Sequence, residues 1–144
     1  MKAEIEKFFT EYEERFNRAI HSEDINAKEA ASSFAECFVE SSPRGVICGK
    51  NDDEFLKMIP KGYEHYRNIG TTSMKILSLH IQELDEIHYL AKVHWDSYYR
   101  KNENDIQIDF VVIYFLRIQD EIPKIFAYIS GDEEKVLKDK GLLQ

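Results

Sequence analysis

The sequence predicts an α+β fold: three helices, an antiparallel sheet of four long strands, and a short C-terminal helix. Three observations carry this. Apolar residues recur every three or four positions through the first twenty residues, the spacing of one helical face. From Thr71 onward the period falls towards two over long stretches rich in Ile, Val, Tyr and Phe. The links between those stretches are short and polar, as antiparallel neighbours require.

The elements follow in order. Over residues 3–20, Ile5, Phe8, Phe9, Tyr12, Phe16, Ala19 and Ile20 form one apolar stripe, and Glu4, Glu6, Lys7, Glu11, Glu13, Glu14, Arg15 and Arg18 occupy the solvated faces. A second helix opens at Asn26, with Glu29 completing a capping box, and its stripe is Ala27, Ala30, Ala31, Phe34, Cys37 and Phe38. Ser41-Ser42-Pro43-Arg44-Gly45 ends it, and Val46-Ile47-Cys48 reads as an edge strand. Asn51 and Glu54 cap a third helix, which lines up Phe55, Ile59, Tyr63 and Tyr66 and stops at Gly70 as its C′ residue. Pro60 inside it predicts a kink or a break. The strands cover residues 74–84, 88–100, 106–118 and 122–130, joined by Asp85-Glu86, by the polar run 101–105 and by 119–121. Ser130 and Glu133 make a third capping box, opening a last helix that ends at Gly141.

No linker, repeat or low-complexity stretch interrupts this order, so residues 1–144 are expected to form a single domain. Apolar residues make up 43% of the chain, including nine Phe, eight Tyr and one Trp, enough bulk for a core without a disulfide or a metal. The formal net charge is −8 and no Lys/Arg cluster stands out, which argues against nucleic acid as a partner. Cys37 and Cys48 fit no metal or redox spacing and are expected to be reduced, partly buried thiols. No apolar run nears the roughly 18 residues of a membrane span, so no membrane role and a cytoplasmic location are expected.

Some local patterns, taken with the order of elements, resemble the nuclear transport factor 2-like (SnoaL-like) superfamily, in the manner of a small bacterial member. The residues concerned are Phe34-Ala35-Glu36, Gly49 before the third helix, Ala91-Lys92-Val93-His94-Trp95 in a long strand, and the closing segment Tyr128-Ile129-Ser130-Gly131-Asp132-Glu133-Glu134 through to Gly141-Leu142. The resemblance covers nearly the whole chain. It implies a cone-shaped, barrel-like fold in which a strongly curved antiparallel sheet wraps three N-terminal helices and leaves an apolar pocket at its open end. It further implies a homodimer through the outer sheet face. Activities in the superfamily are diverse, so fold alone does not give function.

Two catalytic templates were set against the chain. The ketosteroid isomerase branch uses an Asp base facing an oxyanion hole of Tyr and protonated Asp. Alignment places the base on Ser42, the tyrosine on Phe16 and its acidic partner near Ile113, none of which can do the work. Tyr12 could replace the tyrosine, but a donor without a base abstracts no proton. The dehydratase branch resembles a His and Asp acting with tyrosines, and this chain offers His80, His94, Asp96 and Asp109 with Tyr98, Tyr99, Tyr114 and Tyr128. If Ala91, Val93 and Trp95 face the helices, Lys92, His94 and Asp96 face outward, a structural or interface position. Asp109 is placed either at the pocket mouth or as a solvated carboxylate, and His80 as a hydrogen-bonded sheet histidine or a base.

Aromatic residues Tyr12, Phe16, Tyr63, Tyr66, Trp95 and Tyr114, with Asp109 at the mouth, are the expected ligand-pocket residues, Tyr66 and Trp95 foremost. No phosphate loop, zinc motif or nucleophile elbow is present, so no cofactor and no metal are expected. The leading expectation is a dimeric domain of uncharacterised function with an apolar pocket for a small apolar molecule and no assembled catalytic set. The alternatives are a dehydratase or isomerase using Asp109 or His80 with a pocket tyrosine, and an oligomeric assembly module.

Overall fold

The structure, a computed structural model, describes residues 1–22 and 25–143. A long helix α1 (Lys2–His21) and a single-turn α2 (Ala27–Ala31) lead into a hairpin of β1 (Phe34–Ser42) and β2 (Gly45–Lys50). Helix α3 (Asp53–Asn68) follows, then a meander of β3 (Thr71–Glu83), β4 (His88–Lys101), β5 (Asn104–Gln119) and β6 (Ile122–Ile129), then α4 (Glu133–Asp139). The six strands form one curved, unclosed sheet in the order β2-β1-β6-β5-β4-β3.

The first helix is the one its spacing predicts. Ile5, Phe9, Phe16, Ala19 and Ile20 are buried, and Phe8 and Tyr12 pack against the same core. Its polar side is not wholly solvated, however. Glu13 accepts the Ile76 amide at 3.0 Å, and Asn17 both donates to the Met74 carbonyl and accepts its amide, each at 2.9 Å. These bonds occupy the free edge of β3, which lies last in the sheet and would otherwise leave those backbone groups unpaired.

The second helix is a correction. It spans five residues, and Phe34, Cys37 and Phe38, expected on its stripe, lie in strand β1. Phe34 and Phe38 are four apart, a spacing that keeps two side chains on one side of either a helix or a strand, so periodicity cannot choose. The ladder chooses: β1 pairs antiparallel with β2 and parallel with β6. The sheet is therefore mixed rather than wholly antiparallel. Phe34, Phe38 and Phe55 then stack with ring centroids 4.9–5.6 Å apart, tying the hairpin to α3. Both cysteines lie within this edge hairpin, Cys37 on β1 and Cys48 on β2, and are exposed rather than partly buried.

Two caps also differ from expectation. Asp52, not Asn51, caps α3 by accepting the Phe55 amide at 3.0 Å, while Asn51 stitches the α2–β1 junction through the Ala31 and Phe34 carbonyls. Asp132, not Ser130, caps α4. Pro60 sits inside α3, and the helix runs through it to Asn68 without a break. Gly70 follows as expected, with φ +93°.

Turns β4–β5 and β5–β6 are two-residue loops, Asn102-Glu103 and Asp120-Glu121, each with both residues at positive φ. The inner faces of β4 and β5 carry the core: Ala91, Val93, Trp95, Val112, Tyr114 and Leu116 pack on α1. A second cluster, Ile69, Tyr99, Ile108, Leu137 and Leu142, docks α4 against the ends of β4 and β5. Among the described residues no helix is long and apolar enough to cross a membrane.

Candidate functional site

Between α1, α3, α4 and the inner face of the sheet lies a cavity of about 490 Å³. Its walls are built from the period of each element. The α1 stripe presents Tyr12 and Phe16, one turn apart, and α3 presents Phe55, Ile59, Tyr63 and Tyr66. The inward positions of β4 and β5 supply Trp95, Tyr99, Ile108, Phe110, Val112 and Tyr114, and β6 supplies Tyr128. No residue of α3 is fully buried: its apolar face packs in part on Phe16, Phe34 and Phe38 and otherwise looks onto the cavity.

The rings form a continuous lining. Tyr12 lies 6.0 Å from Trp95 and 6.3 Å from Tyr114 between centroids, and Phe16 lies 5.8 Å from Tyr63 and 5.3 Å from Tyr66. Trp95, 1% exposed, donates its indole N–H to the Tyr114 hydroxyl at 3.1 Å. Burial pushes the Tyr12 phenol up to about 12, with the nearby Tyr63 adding to it. The phenols of Tyr63, Tyr66, Tyr114 and Tyr128 are raised for the same first reason, so all stay protonated donors at neutral pH.

Polar groups converge on this apolar lining from two sides. Glu40, on β1, accepts the Tyr128 hydroxyl at 3.0 Å, and Glu133, in the first turn of α4, accepts the Tyr66 hydroxyl at 3.0 Å. Glu133 is an exposed residue, yet the protein crowding its carboxylate raises its pKa. The charge of Glu40 adds to that rise, while the Tyr66 hydrogen bond and His65 oppose it. Arg44, in the β1–β2 turn, holds the start of α4 by pairing with Asp132 at 3.0 Å and Glu134 at 3.2 Å. Arg15 enters from α1 with partners of its own: Ser33 Oγ at 2.7 Å, Glu29 at 3.8 Å, and the Tyr12 ring beneath its guanidinium.

Six of the residues expected from sequence, Tyr12, Phe16, Tyr63, Tyr66, Trp95 and Tyr114, line this cavity, and Asp109 does not. Asp109 lies on the outer sheet face, 67% exposed, where His94 Nε2 sits 2.8 Å from its carboxylate and holds its pKa low. The reason is alternation: Ile108 and Phe110 point inward, so Asp109 cannot. His80 is exposed and pairs in register with Lys92, again outside the cavity. An acid–base role for either with a cavity tyrosine is thereby removed. Tyr66 and Trp95 share the cavity, but each has a different partner, Glu133 and Tyr114.

Asp96 faces outward as expected but is buried, because Gln107 and the Tyr98 hydroxyl close over its carboxylate. Of the template positions, only Phe16 lines the cavity: Ser42 ends β1, and Ile113 takes the outer side between Lys92 and Ile129. Sequence reasoning missed Glu40 and Glu133 altogether. Glu40 falls where the spacing predicts the end of the second helix, and Glu133 where it predicts a helix cap. The usable signal was the even spacing of Phe34, Glu36, Phe38 and Glu40, which places Glu40 on the phenylalanine side of a strand.

A curved, unclosed sheet packed on one long helix is the cystatin-like α+β fold of similar solved structures. The chain belongs to the NTF2-like protein family DUF6841, whose sequence profile matches residues 3–133. Curated proteins give no match to this sequence. Among solved structures it is similar to an NTF2-like protein of unknown function from Shewanella oneidensis, with TM-score 0.65 at 19% identity, over 91% of this chain and 98% of the other. It is similar as well to an NTF2-like protein with a cystatin-like fold from Novosphingobium aromaticivorans, with TM-score 0.69 at 10% identity, over 99% and 88%. A ketosteroid isomerase-like protein from Erwinia carotovora atroseptica aligns with TM-score 0.61 at 13% identity, over 91% and 92%. At these identities the likeness is one of fold.

Proposed function

We propose that this NTF2-like chain is a cone-shaped small-molecule-binding protein whose ligand occupies the aromatic cavity and which works as a homodimer. The observation that carries the reading is the helix α3: its apolar face fronts a cavity of about 490 Å³ and none of its residues is fully buried. That volume lies in the range of about 300–1,000 Å³ usual for small-molecule sites. A bound apolar molecule completes the burial that the protein alone leaves unfinished, contributing about 25 cal/mol for each Å² it removes from water.

The homodimer reading rests on the outer sheet face, where Val111 and Ile129 are exposed beside Ile113, Phe115 and Phe126. An apolar patch of that kind on the middle of a sheet is the form of a self-complementary interface.

Thermal-shift screening with apolar and steroid-like molecules tests the cavity. A hit is expected to raise Tm of the wild type, to change Trp95 emission, and to lose its effect in Trp95→Ala. A hit that leaves Trp95 emission untouched places the binding site elsewhere and ends this reading.

A further inference from the structure

We propose that the cavity selects an organic cation, an ammonium group on an apolar body, with the ammonium held between Glu40 and Glu133 and the body against the aromatic walls. The inference rests on the reading of the cavity as a binding site and names the class of molecule it takes.

The two carboxylates reach the cavity from different elements, β1 and α4, and each already accepts one tyrosine hydroxyl. Neither has a Lys, Arg or His among the described residues within ion-pairing distance, although other glutamates of the chain do. Arg15, the basic side chain among the described lining residues, donates Nη1 to Ser33 and has its charge opposed by Glu29 at 3.8 Å, though its buried Nε makes no hydrogen bond. Asp132, the other acid of the lining, is held by Arg44. The uncompensated charge of the cavity is therefore negative.

The charge decides which ligand fits. A neutral apolar molecule gains the burial of its own surface but takes water from the carboxylates without replacing their hydrogen bonds, and burying an unpaired ion is costly. An anion adds repulsion. An ammonium supplies donors for the carboxylate lone pairs left free by Tyr66 and Tyr128, and its charge is further stabilised by the faces of Trp and Tyr rings. The charge of Glu40, which adds a smaller part to the rise in the Glu133 pKa that burial dominates, is opposed by the same cation.

Three probes of one shape separate the cases: 4-phenylbutylamine, 4-phenylbutanol and 4-phenylbutyrate, titrated at neutral pH while following the emission of Trp95, the chain's single tryptophan. The amine is expected to bind at least tenfold more tightly than the alcohol, with the acid weakest. In the double variant Glu40→Gln, Glu133→Gln the amine is expected to fall to the affinity of the alcohol, whose own binding changes less than twofold. An amine that binds no more tightly than the alcohol in the wild type overturns the cation assignment while leaving small-molecule binding intact, and so does a double variant that keeps the amine preference. Should the double variant not fold, the wild-type ratio decides alone. Absence of binding by all three probes overturns the small-molecule reading itself, and the cation assignment falls with it.

Discussion

Glu133 shows how a single residue carries both a cost and a use. It is fixed by its neighbours: Asp132 caps the helix it begins, Arg44 anchors that cap, and Tyr66 donates to its carboxylate. Crowding by protein, with the charge of Glu40, raises its pKa above the ordinary glutamate value, against the opposing effects of Tyr66 and His65. A carboxyl with a folded pKa above its unfolded one binds more protons in the folded state, so its penalty appears as pH rises through the folded value and is absent below the unfolded value. Glu133→Gln keeps an acceptor for Tyr66 and removes the charge. It is expected to stabilise the fold at pH 7, read as a higher Tm, by less than about 1 kcal/mol because the group retains solvent contact. The gain should fade as pH falls and be gone below about pH 4, where an unfolded glutamate is also protonated. Thermal melts of both proteins across that range check the sign; a variant less stable than wild type at pH 7 contradicts it.

At the scale of elements, the junctions decide where the cavity lies. Gly70 ends α3 at φ +93° and accepts the Arg100 amide at 2.8 Å, so the helix and the far end of β4 meet at one point. A Cβ built there collides with the Arg100 carbonyl oxygen. Gly70→Ala thus faces both an unfavourable backbone region and a backbone clash, and should cost about 2 kcal/mol or more. Urea titration reads this as a lower midpoint with an unchanged slope. A loss under about 0.5 kcal/mol, the level of an ordinary surface change, would mean that the junction is not needed. The same reasoning explains how β3 is closed as an edge, since Asn17 and Glu13 of α1 satisfy backbone groups that no seventh strand reaches.

For the whole molecule, the two faces of one sheet differ in what they carry. The inner face of β4 and β5 holds Trp95 and Tyr114 against α1. The outer face carries Val111, 39% exposed, with the His94–Asp109 pair and the closed Asp96 network beside it. If this face joins two copies, Val111→Glu places a charge in an apolar contact and should yield a monomer by light scattering at micromolar concentration, with the helical content unchanged. A wild type that is already monomeric under those conditions removes the homodimer reading.

How much of this was legible in the chain depends on the range of the interaction that decides it. Helix α1 and strands β3 to β6 follow from periodicity within a single segment, whereas the inward direction of Ala91, Val93 and Trp95 is decided by their packing on α1. The aromatic lining was legible from the same periodicity, because Tyr12 and Phe16 lie on the α1 stripe and Tyr63 and Tyr66 on the α3 face. Strand β1 was not, because Phe34 and Phe38 stay on one side in a helix and in a strand alike, and only pairing with β2 and β6 chooses between them. Asp109 was misplaced because both faces of β5 carry apolar bulk, and the inner one is identified only by what packs on it. Glu40 and Glu133 lie far apart in the chain, and only the tertiary fold brings both to one cavity. The sequence by itself determined helices α1 and α3 and strands β3 to β6, since local spacing sets those, but not β1. Tertiary structure decided which charges meet, since that depends on strand pairing and helix docking between distant segments.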